Sequence, residues 1–253
     1  MPKFVNNKPP GQDLSIGKTN QATWTASRDA TSGAAGSETG DPVQVLHRLS
    51  SGGKYSVVRC FFAFDTSDVK EVPAHAKLDI RISLLGGDGV GIHIIKVQAG
   101  ATGDSSTVFA AGDFDALEGF SSGATMHGNV VRYHDRGLFG QIPTSAMTAG
   151  EHILITLNRQ AREDMASLDE FKLAIVGFKD YTNTAPTDVA IVRTQIDSVD
   201  DSTAANRPQL RWVEASGARR TRRTKGARSR GFRTRNVNIT TGGKTVANGF
   251  SDA

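Results

Sequence analysis

The fold is decided by "KYSVVRCFFAFD", residues 54–65, and by "KLDIRISLL", residues 77–85, which follows it closely. The second half of the first stretch is apolar at almost every position, which is typical of a central strand buried on both faces. In the second stretch leucine and isoleucine alternate with lysine, aspartate, arginine and serine. That alternation predicts a half-buried strand with one face in water.

Working outward, the same kind of signal recurs along most of the chain. Further strands are predicted at residues 43–49, 90–97, 152–157, 171–178, 188–196 and 209–214. The turn sequence "GGDG", residues 86–89, predicts a hairpin between the strands on either side of it. Residues 158–171 are the one good helix candidate, and residues 99–128 resemble a long insertion rich in small residues. About ten strands and one short helix predict an all-β fold, an antiparallel jelly-roll β-sandwich.

The two ends of the chain differ from this middle part. Residues 1–21 are polar and contain a Pro-Pro pair, which predicts an extended N-terminal arm before a sandwich spanning residues 22–214. Residues 215–253 have no apolar run that could form a core, which predicts a C-terminal arm. Residues 217–253 hold ten Lys/Arg and one acid, whereas the remaining 20 bases and 25 acids give the body a charge of −5. The body is therefore mildly acidic and the arm strongly basic.

Several functional classes find little support in the sequence. The single cysteine, Cys60, excludes an intrachain disulfide, and no apolar stretch is long enough to predict a membrane span. The Gly-x-Ser-x-Gly pattern at residues 119–123 lacks the preceding strand and following helix of a nucleophile elbow, so it predicts a loop. The histidines lack metal-ligand spacing, and no cofactor is expected. A calcium site formed by loop carboxylates, such as Asp113, Asp115 and Glu118, stays open as an alternative.

Three stretches resemble a known family. The run "VVRCFFAFDTSDVKEVPAHAKLDIRISLL" resembles the signature of DNRLRE-type (disaggregatase-related) jelly-roll domains, and the later "ANRPQLRWVE" resembles the way such domains end. The intervening "FKLAIVGFKDYTNTAP" is similar to versions found in tailed-bacteriophage virion proteins. The resemblance covers residues 22–214 and implies a sandwich like that of carbohydrate-binding modules. It also implies either sugar binding at a surface or a structural place in a virion.

Sugar-binding modules stack sugar rings on exposed aromatic side chains. Tyr133, Phe139 and Tyr181 fall in or near predicted loops and are the candidates for a ligand-binding rim facing a glycan or host receptor. Trp24 and Trp212 fall in predicted strands, where packing in the core is at least as good an interpretation.

The basic arm allows three interpretations: phosphate contacts with nucleic acid, a solvated tail, or an arm that lies on neighbouring subunits. Behind the basic run, Val237 and Ile239 alternate with polar residues, as in a segment that adds a strand to a neighbouring sheet. The basic residues of this candidate assembly arm are Arg219, Arg220, Arg222, Arg223, Lys225, Arg228, Arg230, Arg233 and Arg235.

Together these patterns favour a non-enzymatic structural protein of a tailed-bacteriophage virion, synthesised in the host cytoplasm and without membrane contact. It would decorate the capsid or form part of the tail, as a homo-oligomer laced to other virion subunits by its arms. A carbohydrate- or receptor-binding module is one alternative, and nucleic-acid binding through the basic arm is another.

Overall fold

A computed structural model describes residues 6–8, 12–35, 42–87, 90–98, 109–135 and 141–215. The chain divides into two units, residues 1–216 and residues 217–253. All the helices and strands given below belong to the first unit, which is called the body. The residues of the candidate assembly arm, from Arg219 to Ile239, lie outside the described residues, and so does Phe139.

The body is built mainly from antiparallel strands, with three short helices between them. The strands are β1 (Asn6–Lys8), β2 (Gln12–Gln21), β3 (Ala34–Ala35), β4 (Val43–Leu49), β5 (Tyr55–Asp65), β6 (His75–Gly86), β7 (Ile92–Lys96), β8 (His152–Thr156), β9 (Glu170–Gly177), β10 (Ala190–Ile196) and β11 (Gln209–Val213). The helices are α1 (Trp24–Arg28), α2 (Arg159–Ser167) and α3 (Phe178–Tyr181). The prediction of an all-β antiparallel fold of the sandwich and jelly-roll class is confirmed.

Two long strands connect the layers by changing partners along their length. The main path of the sheet runs β1-β11-β6-β10-β4-β5-β2-β3. The first half of β6 pairs with β11 and β8, and its last residues pair with β10. On one edge of β5, residues 55–58 pair with β4, whereas residues 60–65 pair with β9 and through it with β7. The central layer is therefore β2-β5-β9-β7, and the β1-β11-β6-β8 group faces it.

The central layer is buried on both faces, as the apolar run in β5 predicts. Cys60, Phe62 and Phe64 of β5 join a core that includes residues of β6 and β11. The intervening Phe61 and Ala63 join a second core, closed by the loop segment 109–130 and by α1 and α3. The described part of the predicted insertion thus covers the sheet and belongs to the fold.

The predicted N-terminal arm, residues 1–21, requires a correction. Residues 12–21 form β2, which pairs with β5 along most of its length. Leu14 and Ile16 are fully buried in the second core, although the polar residues between them hide this in the sequence. Gly17 lets the two strands pack closely, because a Cβ there would lie 3.0 Å from a methyl group of Val58.

The predicted hairpin at residues 86–89 is also wrong. Gly87 turns the chain with φ of +62°, but β6 then pairs with β10 and β7 pairs with β9. The physical reason lies in β7, where Ile94 and Ile95 belong to different cores. A strand that is apolar on both faces needs cover on both sides. Pairing with β9 places β7 in the central layer, which is buried on both faces. Pairing with β6 would instead align one face of β7 with the face of β6 that carries its charged residues.

A buried ion network fastens the second core to β5. The Arg59 guanidinium donates from Nε and Nη2 to the two carboxylate oxygens of Asp180, at 2.7 and 2.9 Å, and from Nη1 to the carbonyl of Phe114 at 2.6 Å. Arg28 of α1 donates from Nε to the backbone carbonyl of Asp180. Trp24, predicted to begin a strand, lies in this helix because Thr23 accepts the N–H of Ala26 as a cap.

Candidate interaction site

An open groove of the body lies along the strand β8. Within the described residues β8 pairs on one side with β6. On its second side His134 bridges Leu157, just beyond the end of the strand, and Asn158 donates its N–H to the carbonyl of Tyr133. The groove, of about 570 Å³, runs along this second side. This β8 groove is lined by His134, Asp135, Ile142, Ala146 and the five residues of β8. Because consecutive strand residues line it, the groove follows the backbone edge and does not lie on one face of the sheet.

The hydrogen bonds to β6 determine which backbone groups point into the groove. Leu157 donates its N–H to the carbonyl of Ala76, and Glu151 accepts at its carbonyl from the N–H of Ile82. Bonding alternates along an antiparallel strand, so the odd-numbered residues from 151 to 157 turn their N–H and C=O groups toward β6. The residues whose backbone groups turn outward are His152, Leu154 and Thr156.

The sequence of this edge does little to prevent pairing with another chain. Natural proteins commonly protect edge strands with lysine, proline, a bulge or a covering loop. The strand "HILIT" has no charged residue and no proline, and the side chain of its central residue, Leu154, is 49 % exposed. The second edge of β7 is bridged by Arg132 and Ile142, and the far end of the β8 edge is bridged in the same way by His134 at Leu157. The part of the β8 edge from His152 to Ile155 forms no bridge to a described residue on this side.

Charges around the groove are partly neutralised and partly free. On the face beside it, the buried carboxylate of Asp79 lies 2.9 Å from Nδ1 of His152 and forms an ion pair with Arg211. Asp135 and Glu151 are exposed and lie near opposite ends of β8. Neither of these two acids forms an ion pair with a described residue.

The predicted ligand-binding rim requires a correction, because the two described candidates are buried. Tyr133 and Tyr181 are each 1 % exposed. Tyr133 donates its hydroxyl to Asp164 of α2 at 2.7 Å, and burial raises the pKa of its phenol well above the usual value. Tyr181 stacks on His93 with ring centroids 3.8 Å apart. Both aromatic rings face the interior, so they offer no platform for a sugar.

The two tryptophans likewise belong to the interior. Trp212 packs in the first core, and Trp24 packs in the second core with its indole N–H donated to Asn183 at 3.0 Å. From the sequence, packing in the core was at least as good an interpretation as a sugar-binding platform.

Two further histidines, one on β7 and one on β4, are buried in the body. His93 is fully buried, and neither of its ring nitrogens has a hydrogen-bond partner. Desolvation, followed by the nearby His134 and Arg132, lowers its pKa from 6.5 to about 3. Burial similarly lowers the pKa of His47 to about 4. Both rings are therefore neutral at pH 7 and act as packed aromatic groups.

The alternative of a calcium site finds no support in the geometry. Asp113 accepts the backbone N–H of Ala110 at 2.8 Å and serves as a turn cap. Among the described residues no three His, Cys, Asp or Glu side chains converge on a point that could hold a metal ion. No helix in the described part of the chain is long and apolar enough to cross a membrane.

Comparison with known proteins does not extend the sequence interpretation. No protein-family model matches the chain, and no curated protein is similar to it. The resemblance to DNRLRE-type domains and to tailed-bacteriophage virion proteins therefore stays a prediction. The β8 groove was missed from the sequence. The available signal was that residues 152–158 carry no Lys, Arg, Asp or Glu.

Proposed function

We propose that this chain is a non-enzymatic structural protein of a tailed-bacteriophage virion, decorating the capsid or forming part of the tail. The observation that carries the proposal is the β8 groove, along which residues 152–155 form no bridge to a second described strand, on a body whose charge is −5, in a chain whose residues 217–253 carry a charge of +9. An edge that accepts a strand and a terminal segment of opposite charge are the two parts that lacing between subunits needs. The phage assignment rests on the resemblance stated for residues 171–186.

Truncation tests this proposal directly. Chains ending at Ser216 and full-length chains are supplied to particles of the phage that encodes the protein, and incorporation is measured by quantitative mass spectrometry of purified particles. We expect the truncated chain to fold, with an unchanged far-ultraviolet circular dichroism spectrum, and to be absent from particles. Equal incorporation of both chains would show that the arm has no role in assembly.

A matched control separates charge from sequence. In this control residues 217–253 are replaced by a permuted segment of the same composition, which keeps the charge of +9. Incorporation of the permuted chain at the level of the natural chain would reduce the role of the arm to unspecific attraction. Loss of incorporation would show that the order of residues in the arm matters.

Nucleic-acid binding is the second candidate, favoured by the nine basic residues between Arg219 and Arg235. It predicts affinity for duplex DNA that falls steeply as salt concentration rises and that disappears in the chain ending at Ser216. Strong DNA binding by the full chain, combined with normal particle incorporation of the truncated chain, would favour this candidate over lacing.

A further inference from the structure

We propose that the body forms an internal covalent cross-link, an isopeptide bond between Nζ of Lys96 and the side-chain carboxyl carbon of Asp164. Lys96 ends β7 in the central layer, whereas Asp164 lies in α2. The bond joins two elements that are far apart in the sequence. This inference concerns the chemistry of the body alone and does not depend on the proposed place in a virion.

The two reacting groups are already in contact. Nζ of Lys96 lies 3.0 Å from Oδ2 of Asp164, and the two side chains are 22 % and 10 % exposed. Groups held at such a distance in a fixed, aligned arrangement reach effective concentrations of about 10⁵–10⁸ M. An advantage of that size opposes the unfavourable condensation of a free amine with a free carboxylate in water.

The backbone holds both groups in place. Lys96 pairs with Leu173 of β9 on one edge, and on the other edge its N–H is donated to the carbonyl of Val131 at 2.8 Å. Asn158 caps α2 and fastens it to the same loop, because its side-chain amide donates to the carbonyl of Arg132 at 2.7 Å. The fold therefore fixes the approach of the amine to the carboxyl group.

Tyr133 supplies the proton donor that the reaction needs. Its hydroxyl donates at 2.7 Å to Oδ2 of Asp164, the same oxygen that Lys96 contacts. The tyrosine is buried, its ring stacks on Phe171 with centroids 5.0 Å apart, and burial raises the pKa of the phenol. The phenol is therefore protonated at neutral pH and can pass its proton to the departing oxygen.

Gln160 is placed to stabilise the reaction intermediate. Its side-chain Nε2 donates to Oδ1 of Asp164 at 3.1 Å. Attack of an amine on the carboxyl carbon develops negative charge on this oxygen, and a donor already aimed at it lowers the energy of the intermediate. The two carboxyl oxygens thus have different surroundings, an amide donor at Oδ1 and a phenol at Oδ2.

The step is a condensation that needs no oxidant, reductant or other co-reactant. One proton of the Lys96 ammonium passes to the carboxylate, and the neutral amine forms a bond to the carboxyl carbon of Asp164. The bond from that carbon to Oδ2 then breaks. Oδ2 takes a second proton from the nitrogen through the hydroxyl of Tyr133, which regains the proton that it gives. The products are one amide and one water molecule.

A second lysine–carboxylate pair provides a comparison within the same chain. Nζ of Lys172 lies 2.9 Å from Oε2 of Glu170, and both residues belong to β9. Among the described residues, Oε1 of Glu170 has no hydrogen-bond partner. This pair has the same proximity but lacks the counterpart of Gln160, so we expect no cross-link there.

Intact-mass spectrometry of the purified full-length chain tests the proposal. We expect a mass lower by one water molecule than the mass calculated from the sequence, and a branched peptide joining Lys96 to Asp164 after digestion. Lys96→Arg keeps a cation beside the carboxylate but cannot form this amide, so it should show the full calculated mass. Lys172→Arg, at the comparison pair, is the matched control and should still lose one water.

Two results would overturn the proposal. One is a natural chain with the full calculated mass. The other is a loss of water that persists in Lys96→Arg, because cyclisation of an aspartate to a succinimide also releases one water molecule and would then be its source.

The role of Tyr133 has its own measurement. Tyr133→Phe keeps the stacked ring and removes the hydroxyl, so the cross-link should form at least about tenfold more slowly. The rate is measured as the loss of mass at successive times after cell-free synthesis. An unchanged rate would overturn the assignment of Tyr133 as proton donor.

Denaturing gel electrophoresis gives a readout that does not depend on a calculated mass. The cross-link closes residues 96–164 into a loop, which restricts the unfolded chain and makes it more compact. We expect the natural chain, after boiling in detergent, to migrate faster than Lys96→Arg and together with Lys172→Arg. Identical migration of all three chains would overturn the proposal.

Discussion

The carboxyl group of Asp13 should cost the protein stability at neutral pH. Asp13 lies on β2, is 4 % exposed and has no cationic partner among the ion pairs of the described residues. Its Oδ2 accepts the backbone N–H of Val199 at 2.8 Å. Desolvation by burial nonetheless raises its pKa from 3.8 to about 6, with a smaller contribution from the negative charge of Asp200.

The sign follows from this rise. The folded state holds the proton of Asp13 more tightly than the unfolded state, so ionisation destabilises the fold. The penalty is fully present above pH 6 and disappears as the pH falls toward 3.8. A pKa that rises from 3.8 to about 6 corresponds to about 3 kcal/mol at pH 7.5.

Substitution of Asp13 by Asn removes the charge and keeps an oxygen that can accept the N–H of Val199. We expect Asp13→Asn to raise the free energy of unfolding by about 1–3 kcal/mol at pH 7.5, and by less than about 1 kcal/mol at pH 4. Urea denaturation of both proteins at the two pH values measures this. The difference between variant and natural chain is the relevant quantity, because it cancels the titration of every other group.

A matched control is Asp188→Asn, at an exposed carboxylate, which should leave stability nearly unchanged at both pH values. An Asp13→Asn protein that is less stable than the natural chain at pH 7.5 would refute the reasoning. So would a gain that is equally large at pH 4.

Three further predictions concern the second core and the loops that close it. Asp180→Asn leaves the buried guanidinium groups of Arg28 and Arg59 without their shared carboxylate. We expect it to lower the free energy of unfolding, measured by urea denaturation, by about 3–5 kcal/mol. A loss below about 1 kcal/mol would contradict a structural role for the network. His93→Phe removes a ring whose pKa falls from 6.5 to about 3, so the variant should gain about 2 kcal/mol relative to the natural chain when the pH is lowered from 7.5 to 4.5, measured in the same way. Gly119→Ala should lower the melting temperature by several degrees. The φ of Gly119 is +82°, and the new Cβ would lie 2.1 Å from the carbonyl oxygen of Asn129. Gly112→Ala is the control, because no atom lies within 4 Å of the Cβ that it adds.

How far the sequence could predict the fold depended on whether a signal was local. The apolar run of β5 and the alternation of β6 are properties of single strands, and both strands form where they were expected. Asn158 accepts the N–H of Ala161 and caps α2 where the helix was predicted to begin. The partner of β7 was not predicted, because pairing with β9 is decided by which layer can cover two apolar faces.

The candidate site was predicted less well for a related reason. Tyr133 and Tyr181 are large, amphipathic and flanked by loop residues, so their positions in the sequence are compatible with a surface rim. Their burial follows from contacts with residues far along the chain, Asp164 for one and His93 for the other. The groove along β8 is likewise a property of the assembled sheet, because a strand alone does not reveal what lies along its second side.

The burial of charged residues also changes how the net charge of the body should be interpreted. Residues 1–216 hold 25 acidic and 20 basic residues. Among the described residues six of those acids are buried, against two of the bases, Arg28 and Arg59. The buried residues therefore account for most of the net charge of −5, and the remaining 19 acidic and 18 basic residues are nearly balanced.

A nearly balanced surface offers a basic segment little reason to prefer one region over another by net charge. At physiological ionic strength attraction between exposed charges fades within about 8 Å. A specific contact must therefore combine a local unpaired acid with a shape that accepts the chain. The β8 groove, which has the exposed Asp135 in its lining, is a place in the described body where an acid and a concave surface occur together.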